Sequence, residues 1–116
     1  RTVDGRRALR NGWSGGFRQS ASWRARVPLP PGRYRFEGNI RTAGLKPAPE
    51  DGALLRISGA ATDGVKRLSG DAAWTPLHFD FEVTGPQEVV LVCELRGTRG
   101  EADFDFSSLR IVRVTK

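Results

Sequence analysis

Apolar side chains fall on every second residue through most of this chain, and glycine or proline interrupts the rhythm about every ten residues. A period of two puts successive side chains on opposite faces of an extended backbone, whereas a helix needs a period near 3.6. No stretch sustains the longer period. In residues 22–29, Trp23, Ala25, Val27 and Leu29 share one face and Arg24 and Arg26 the other. Pro30-Pro31-Gly32 then turns the chain, since proline presets φ and glycine tolerates unusual values. The alternation resumes over residues 33–42, with Tyr34, Phe36 and Ile40 opposed to Arg33, Arg35, Glu37, Asn39 and Arg41.

Residues 43–52 hold two prolines and two glycines and read as a long exposed loop. A strand over 53–59 follows, with Leu55 and Ile57 as its inner pair, and then a loop through Asp63-Gly64 and Ser69-Gly70-Asp71. Residues 77–83 direct Leu77, Phe79, Phe81 and Val83 inward and His78, Asp80 and Glu82 outward. Residues 88–96 are apolar on both faces, the mark of a central strand. The last strand, 102–114, changes phase at Ser107-Ser108, where a bulge is expected. With a further strand over 7–10, these segments predict an all-β fold, an antiparallel two-sheet sandwich that occupies residues 1–116 as one domain.

A chain of 116 residues suits one domain with one core. It contains no methionine, which reads as a piece excised from a longer chain. No apolar run approaches the ~18 residues of a membrane helix, so no membrane span is expected. The one cysteine, Cys93, excludes an internal disulfide and any cysteine-based metal cluster, and its apolar neighbours mark it as a small core group. Net charge is +6, and the imbalance lies in the first third: residues 1–35 carry nine arginines against Asp4 alone. Such a surface attracts acidic polymers, nucleic acid or anionic lipid. Sixteen of the nineteen basic residues are arginine, so GC-rich coding DNA accounts for the excess as well.

The order of the segments resembles a known family. Leu29-Pro30-Pro31-Gly32-Arg33-Tyr34-Arg35-Phe36, then Gly38-Asn39-Ile40-Arg41-Thr42, Leu68-Ser69-Gly70, Trp74-Thr75-Pro76-Leu77, Phe79-Asp80-Phe81-Glu82-Val83 and Gly100-Glu101-Ala102-Asp103-Phe104-Asp105 follow one another as in carbohydrate-binding modules of families 4 and 9, which are galactose-binding-domain-like jelly rolls. The resemblance implies a jelly roll, no catalysis, and an accessory role within a larger exported bacterial protein, extracellular or periplasmic. It also implies one structural calcium held by Asp105 with Asp4, and no other cofactor. The partners it implies are a polysaccharide and the neighbouring domains of the parent protein.

Weighed by chemistry, catalysis is disfavoured. His78 sits beside Asp80 and Glu82, but no serine stands in a strained turn to serve as nucleophile, and arginines on the same faces account for the carboxylates as ion pairs. A glycan site needs exposed aromatic platforms beside polar forks. Trp13 among glycines and Trp74 at a loop exit are the candidate platforms, while Trp23 and Tyr34 are expected in the core. Arg35, Asn39, Arg41, His78 and Asp80 are the candidate polar ligand-binding residues. Their arginines favour an acidic polysaccharide, because guanidinium pairs with carboxylate bidentately. Nucleic acid is disfavoured, since no recognised module matches and arginine alternating with core residues is what a solvated strand face looks like. The competing reading is a structural or protein-interaction sandwich that has lost its sugar.

Overall fold

The computed structural model describes residues 2–3, 6–13, 19–45, 52–61, 65–97 and 99–114. Among these residues the chain runs through strands β1 (Thr2–Val3), β2 (Arg6–Trp13), β3 (Gln19–Leu29), β4 (Gly32–Ala43), β5 (Gly52–Ile57), β6 (Ala72–Val83), β7 (Gln87–Gly97) and β8 (Gly100–Asp105). A 3-10 turn, Phe106–Ser108, leads to the last strand, β9 (Arg110–Arg113). The larger sheet runs β1-β2-β8-β4-β6 with β9 also paired to β4, and the smaller runs β3-β7-β5. Every strand pairing is antiparallel. The molecule is therefore the all-β, two-sheet sandwich that the alternation predicts.

The core lies between the sheets. Tyr34, Phe36 and Ile40 of β4 lie opposite Phe81, Phe79 and Thr75 of β6, and Ile40 also lies opposite Phe104 of β8. The smaller sheet meets them with Ala53, Leu55, Ile57, Val89, Cys93 and Leu95. Phe36, Ile40 and Phe104 are almost wholly buried, and each such side chain contributes about 1.5–3 kcal/mol by leaving water. Tyr34 belongs to this core as expected, with its ring stacked on Phe81 at 5.7 Å between centroids. Its hydroxyl donates to the Pro30 carbonyl at 2.6 Å, which ties the Pro-Pro-Gly turn to the sheet. Asn11 links the two layers through its amide, which donates to the carbonyls of Ala21 (3.2 Å) and Cys93 (3.3 Å).

Trp23 departs from expectation. It points to the core side of β3, opposite Cys93, yet it is 44% exposed. The smaller sheet's outermost strand is not fully covered by the larger sheet, so a residue with the right alternation still meets solvent. Its indole N–H donates to the Arg10 carbonyl at 3.1 Å, which satisfies the polar edge of the ring.

The phase change in the last strand is a 3-10 turn rather than an in-line bulge. β8 pairs with the second half of β4, and β9 with its first half. The turn between them sits beside Gly38 and Asn39. There the Asn39 N–H donates to Ser108 Oγ at 2.8 Å, and the Ser108 hydroxyl donates to the Asp105 carbonyl at 2.8 Å. A Cβ on Gly38 would lie 2.5 Å from Leu109 Cδ2, so a larger residue there would push the Leu109 side chain aside. Gly100 has the same character at the sheet's other end: its φ is +110°, and a Cβ there would meet the Gly44 backbone at 2.8 Å. The 43–52 loop is shorter than expected, since Ala43 ends β4 and Gly52 begins β5, and Leu45 within it is buried. Its residues 46–51 lie outside the described residues. No described helix is long and apolar enough to cross a membrane.

Candidate functional site

β4 and β6 are neighbours in the larger sheet, so their outward positions form rows. Arg35 lies opposite Asp80, Glu37 opposite His78, and Arg33 opposite Glu82. β9 extends two of these rows from the other side, with Arg110 opposite Glu37 and Val112 opposite Arg35. Arg35 Nε donates to Asp80 Oδ1 at 2.8 Å, and Arg110 Nε donates to Glu37 Oε2 at 2.6 Å. The Arg35 hydrogen bond holds the Asp80 carboxyl below its ordinary range, and the carboxylate in turn raises the guanidinium.

Two rows further along, Asp103 of β8 stands between Arg10 of β2 and Arg41 of β4, all three in register. Arg10 grips the carboxylate with Nε and Nη2 at 2.9 and 2.8 Å, and Arg41 Nη1 donates at 3.3 Å. The Asp103 side chain is only 1% exposed. Arg10 also meets Glu101 at 2.5 Å. The hydrogen bond to Asp103 raises the Arg10 guanidinium above its ordinary value, against the opposing effect of burial.

Six of the seven expected ligand-binding residues thus come from two adjacent strands: Arg35, Asn39 and Arg41 from β4, and Trp74, His78 and Asp80 from β6. Arg35, Asn39 and His78 line one shallow depression of about 480 Å³. Its remaining wall includes Glu37, Pro76, Ser107, Ser108 and Arg110. Asp80 lies on the far side of His78, in a neighbouring depression of about 370 Å³ that reaches Val65 and Lys66. Arg41 is committed to Asp103. Trp74 sits in a β-bulge, because Ile40 pairs with Thr75 and Thr42 with Ala72, leaving Ala73 and Trp74 across from Arg41. Trp74 is half-buried. Trp13 ends β2 opposite Gly100, at the far end of the sheet. Its side chain, together with Phe17 and Asp4, lies outside the described residues.

Glu37, Ser107, Ser108 and Arg110 were not among the expected site residues. Glu37 does occupy an outward position in the alternation, and that is the signal for it. Nothing local says that β9 folds back along β4, which is what delivers Arg110 and the two serines.

The expected calcium ligand Asp105 is buried, and its carboxylate accepts a hydrogen bond from Ser107 Oγ at 2.9 Å. Calcium takes six to eight oxygens. Among the described residues no group of three or more His, Cys, Asp or Glu converges, so Asp105 alone does not supply the donor set. Cys93 is buried, and loss of water pushes its thiol up to about 12.

No protein-family model matches the chain, and no curated protein matches it significantly.

Proposed function

We propose that this domain is a non-catalytic carbohydrate-binding module, of the jelly-roll type suggested by its sequence, serving as an accessory domain of a larger exported protein. The observation that carries the reading is the depression on the larger sheet where Arg35, Asn39 and His78 meet Glu37, Ser107, Ser108 and Arg110. Such a wall offers donors and acceptors at short spacing, which is what the hydroxyls of a sugar require. Arg35 and Arg110 are held in place by carboxylates, so their remaining N–H groups are pre-oriented toward solvent and lose little entropy on binding. Trp74 stands in the bulge across from Arg41, further along the same strand pair. Asp80 is engaged by Arg35 and held ionised, a poor starting point for acid catalysis but a suitable acceptor for sugar hydroxyls.

The ion pairs also bear on ligand charge. Arg33, Arg35, Arg41, Arg10 and Arg110 share this outer face with Glu82, Asp80, Asp103, Glu101 and Glu37, so the described face is close to neutral. Affinity gel electrophoresis against a panel of neutral glucans and polyuronates tests the reading. Retention by at least one polymer is expected, and the double substitution Asn39→Ala/His78→Ala is expected to remove it while the far-UV spectrum stays unchanged. Retention that survives the double substitution, or no retention by any polymer, would overturn the assignment.

A further inference from the structure

The smaller sheet is left open at β3. Among the described residues β3 pairs with β7 alone, along its whole eleven-residue length. Residues 22–26 are exposed on both faces of the strand. Trp23 and Ala25 stand on one face, and Arg24 and Arg26 on the other. An edge strand presents a row of N–H and C=O groups on its free side, and natural sheets usually cover or blunt a long one. Here the described residues blunt it only with Pro28 and the two arginines.

Those arginines are poorly neutralised. Arg24 donates to Ser22 Oγ at 3.2 Å and meets no carboxylate among the described residues. Arg26 reaches Glu88 only at 3.5 Å, with both side chains more than half exposed. On the same outer face, Arg56 and Arg96 share the single carboxylate of Glu94. Among the described residues the face therefore has four arginines against Glu88 and Glu94, with the uncompensated charge on the open strand.

We propose that β3 is a docking edge for an extended acidic segment of a partner protein, which adds to the smaller sheet as a fourth strand. The pattern of the partner follows from the pleat. Residues on one side of the added strand lie beside Arg24 and Arg26 and are acidic, two positions apart. The residues between and flanking them lie beside Trp23 and Ala25 and are aliphatic. Backbone hydrogen bonds supply affinity in this mode, and the alternating side chains supply specificity. A second copy of β3 is a poor occupant, because an antiparallel pair would place arginines opposite arginines. Single-stranded nucleic acid is a poor one as well, since the described residues give the arginine-bearing face no aromatic on which bases could stack. The inference is independent of the glycan reading, which concerns the other sheet.

The test uses an acetylated and amidated peptide, Thr-Val-Glu-Val-Glu-Val-Thr-Thr, with isothermal titration and hydrogen exchange on the intact domain. Binding is expected, with slowed amide exchange along residues 19–29. Replacing both glutamates of the peptide by lysine, or N-methylating alternate backbone amides, is expected to abolish it. The variant Arg24→Glu/Arg26→Glu, both positions being exposed, should weaken it roughly tenfold or more and leave glycan retention unaltered. Equal binding of the N-methylated peptide, equal competition by an oligonucleotide, or sedimentation showing that β3 is already closed by self-association would each overturn the proposal.

Discussion

The outer faces of the two sheets carry the same residue types and neutralise them differently. On the larger sheet four arginines meet carboxylates on the next strand: Arg35 with Asp80, Arg110 with Glu37, and Arg10 and Arg41 with Asp103. On the smaller sheet one carboxylate, Glu94, is buried between Arg56 and Arg96, while Arg24 and Arg26 are left near the edge with little to balance them. The first arrangement makes a nearly neutral surface dense in hydrogen-bonding groups. The second makes a positively charged edge. Where a charge is neutralised matters more to what a face can bind than how many charges the chain holds.

The contrast is sharpest between Glu94 and Asp80. Glu94 is only 5% exposed, and its partner Arg56 15%. Removing a buried partner strands the other charge, whereas a solvated pair is screened and worth little. Glu94→Ala should destabilise the domain by about 3–5 kcal/mol, and Asp80→Asn should leave the chemical-denaturation midpoint almost unchanged. Equal effects would show that burial does not separate these two ion pairs.

Acid should reveal the same asymmetry. Burial by itself would raise the Glu94 carboxyl, but hydrogen bonds from Arg96 and Arg56 outweigh it and hold the group below its ordinary 4.5. A carboxyl lowered on folding contributes fully above its unfolded value, and the contribution disappears as pH falls through the folded one. Stability should therefore fall below about pH 4.5. Glu94→Gln should flatten that acid limb while lowering the plateau, as read from urea midpoints across the acid range. An acid limb unchanged in Glu94→Gln would remove Glu94 from the account.

The smallest effect separates Glu94 from its neighbour. Cys93 and Glu94 are consecutive on β7 and point to opposite faces, and burial pushes both upward. Only Glu94 has arginines to reverse the push, so the thiol goes from 9.0 to about 12. A group raised in this way favours the folded state below its unfolded value and ceases to do so as pH rises through the folded one. Near pH 8 the native thiolate should be about a thousandfold scarcer than in the unfolded chain. A thiol reagent should then label Cys93 rapidly in urea and hardly at all in the native protein. Rapid native labelling would mean that the inner face of β7 opens readily.

Period-two alternation, turn residues and the apolar run at 88–96 suffice to give most of the strands, their inner faces and the sandwich, though not β1 or the break between β8 and β9. They are local properties of an L-peptide chain with one side in oil. They also place Arg35, Asn39, His78 and Asp80 outward, since the same pleat that buries Phe36 and Phe79 exposes their neighbours. Which strands lie side by side is decided by contacts far apart in sequence, such as Glu37 with Arg110 across 73 positions, and the local pattern carries no record of them. That is why Arg110 and Ser108 enter the depression only through the return of β9 along β4. It is also why Trp23, assigned to the core by its phase, stands in solvent: phase fixes the side to which a side chain points, and only the assembled sheets fix whether anything covers that side.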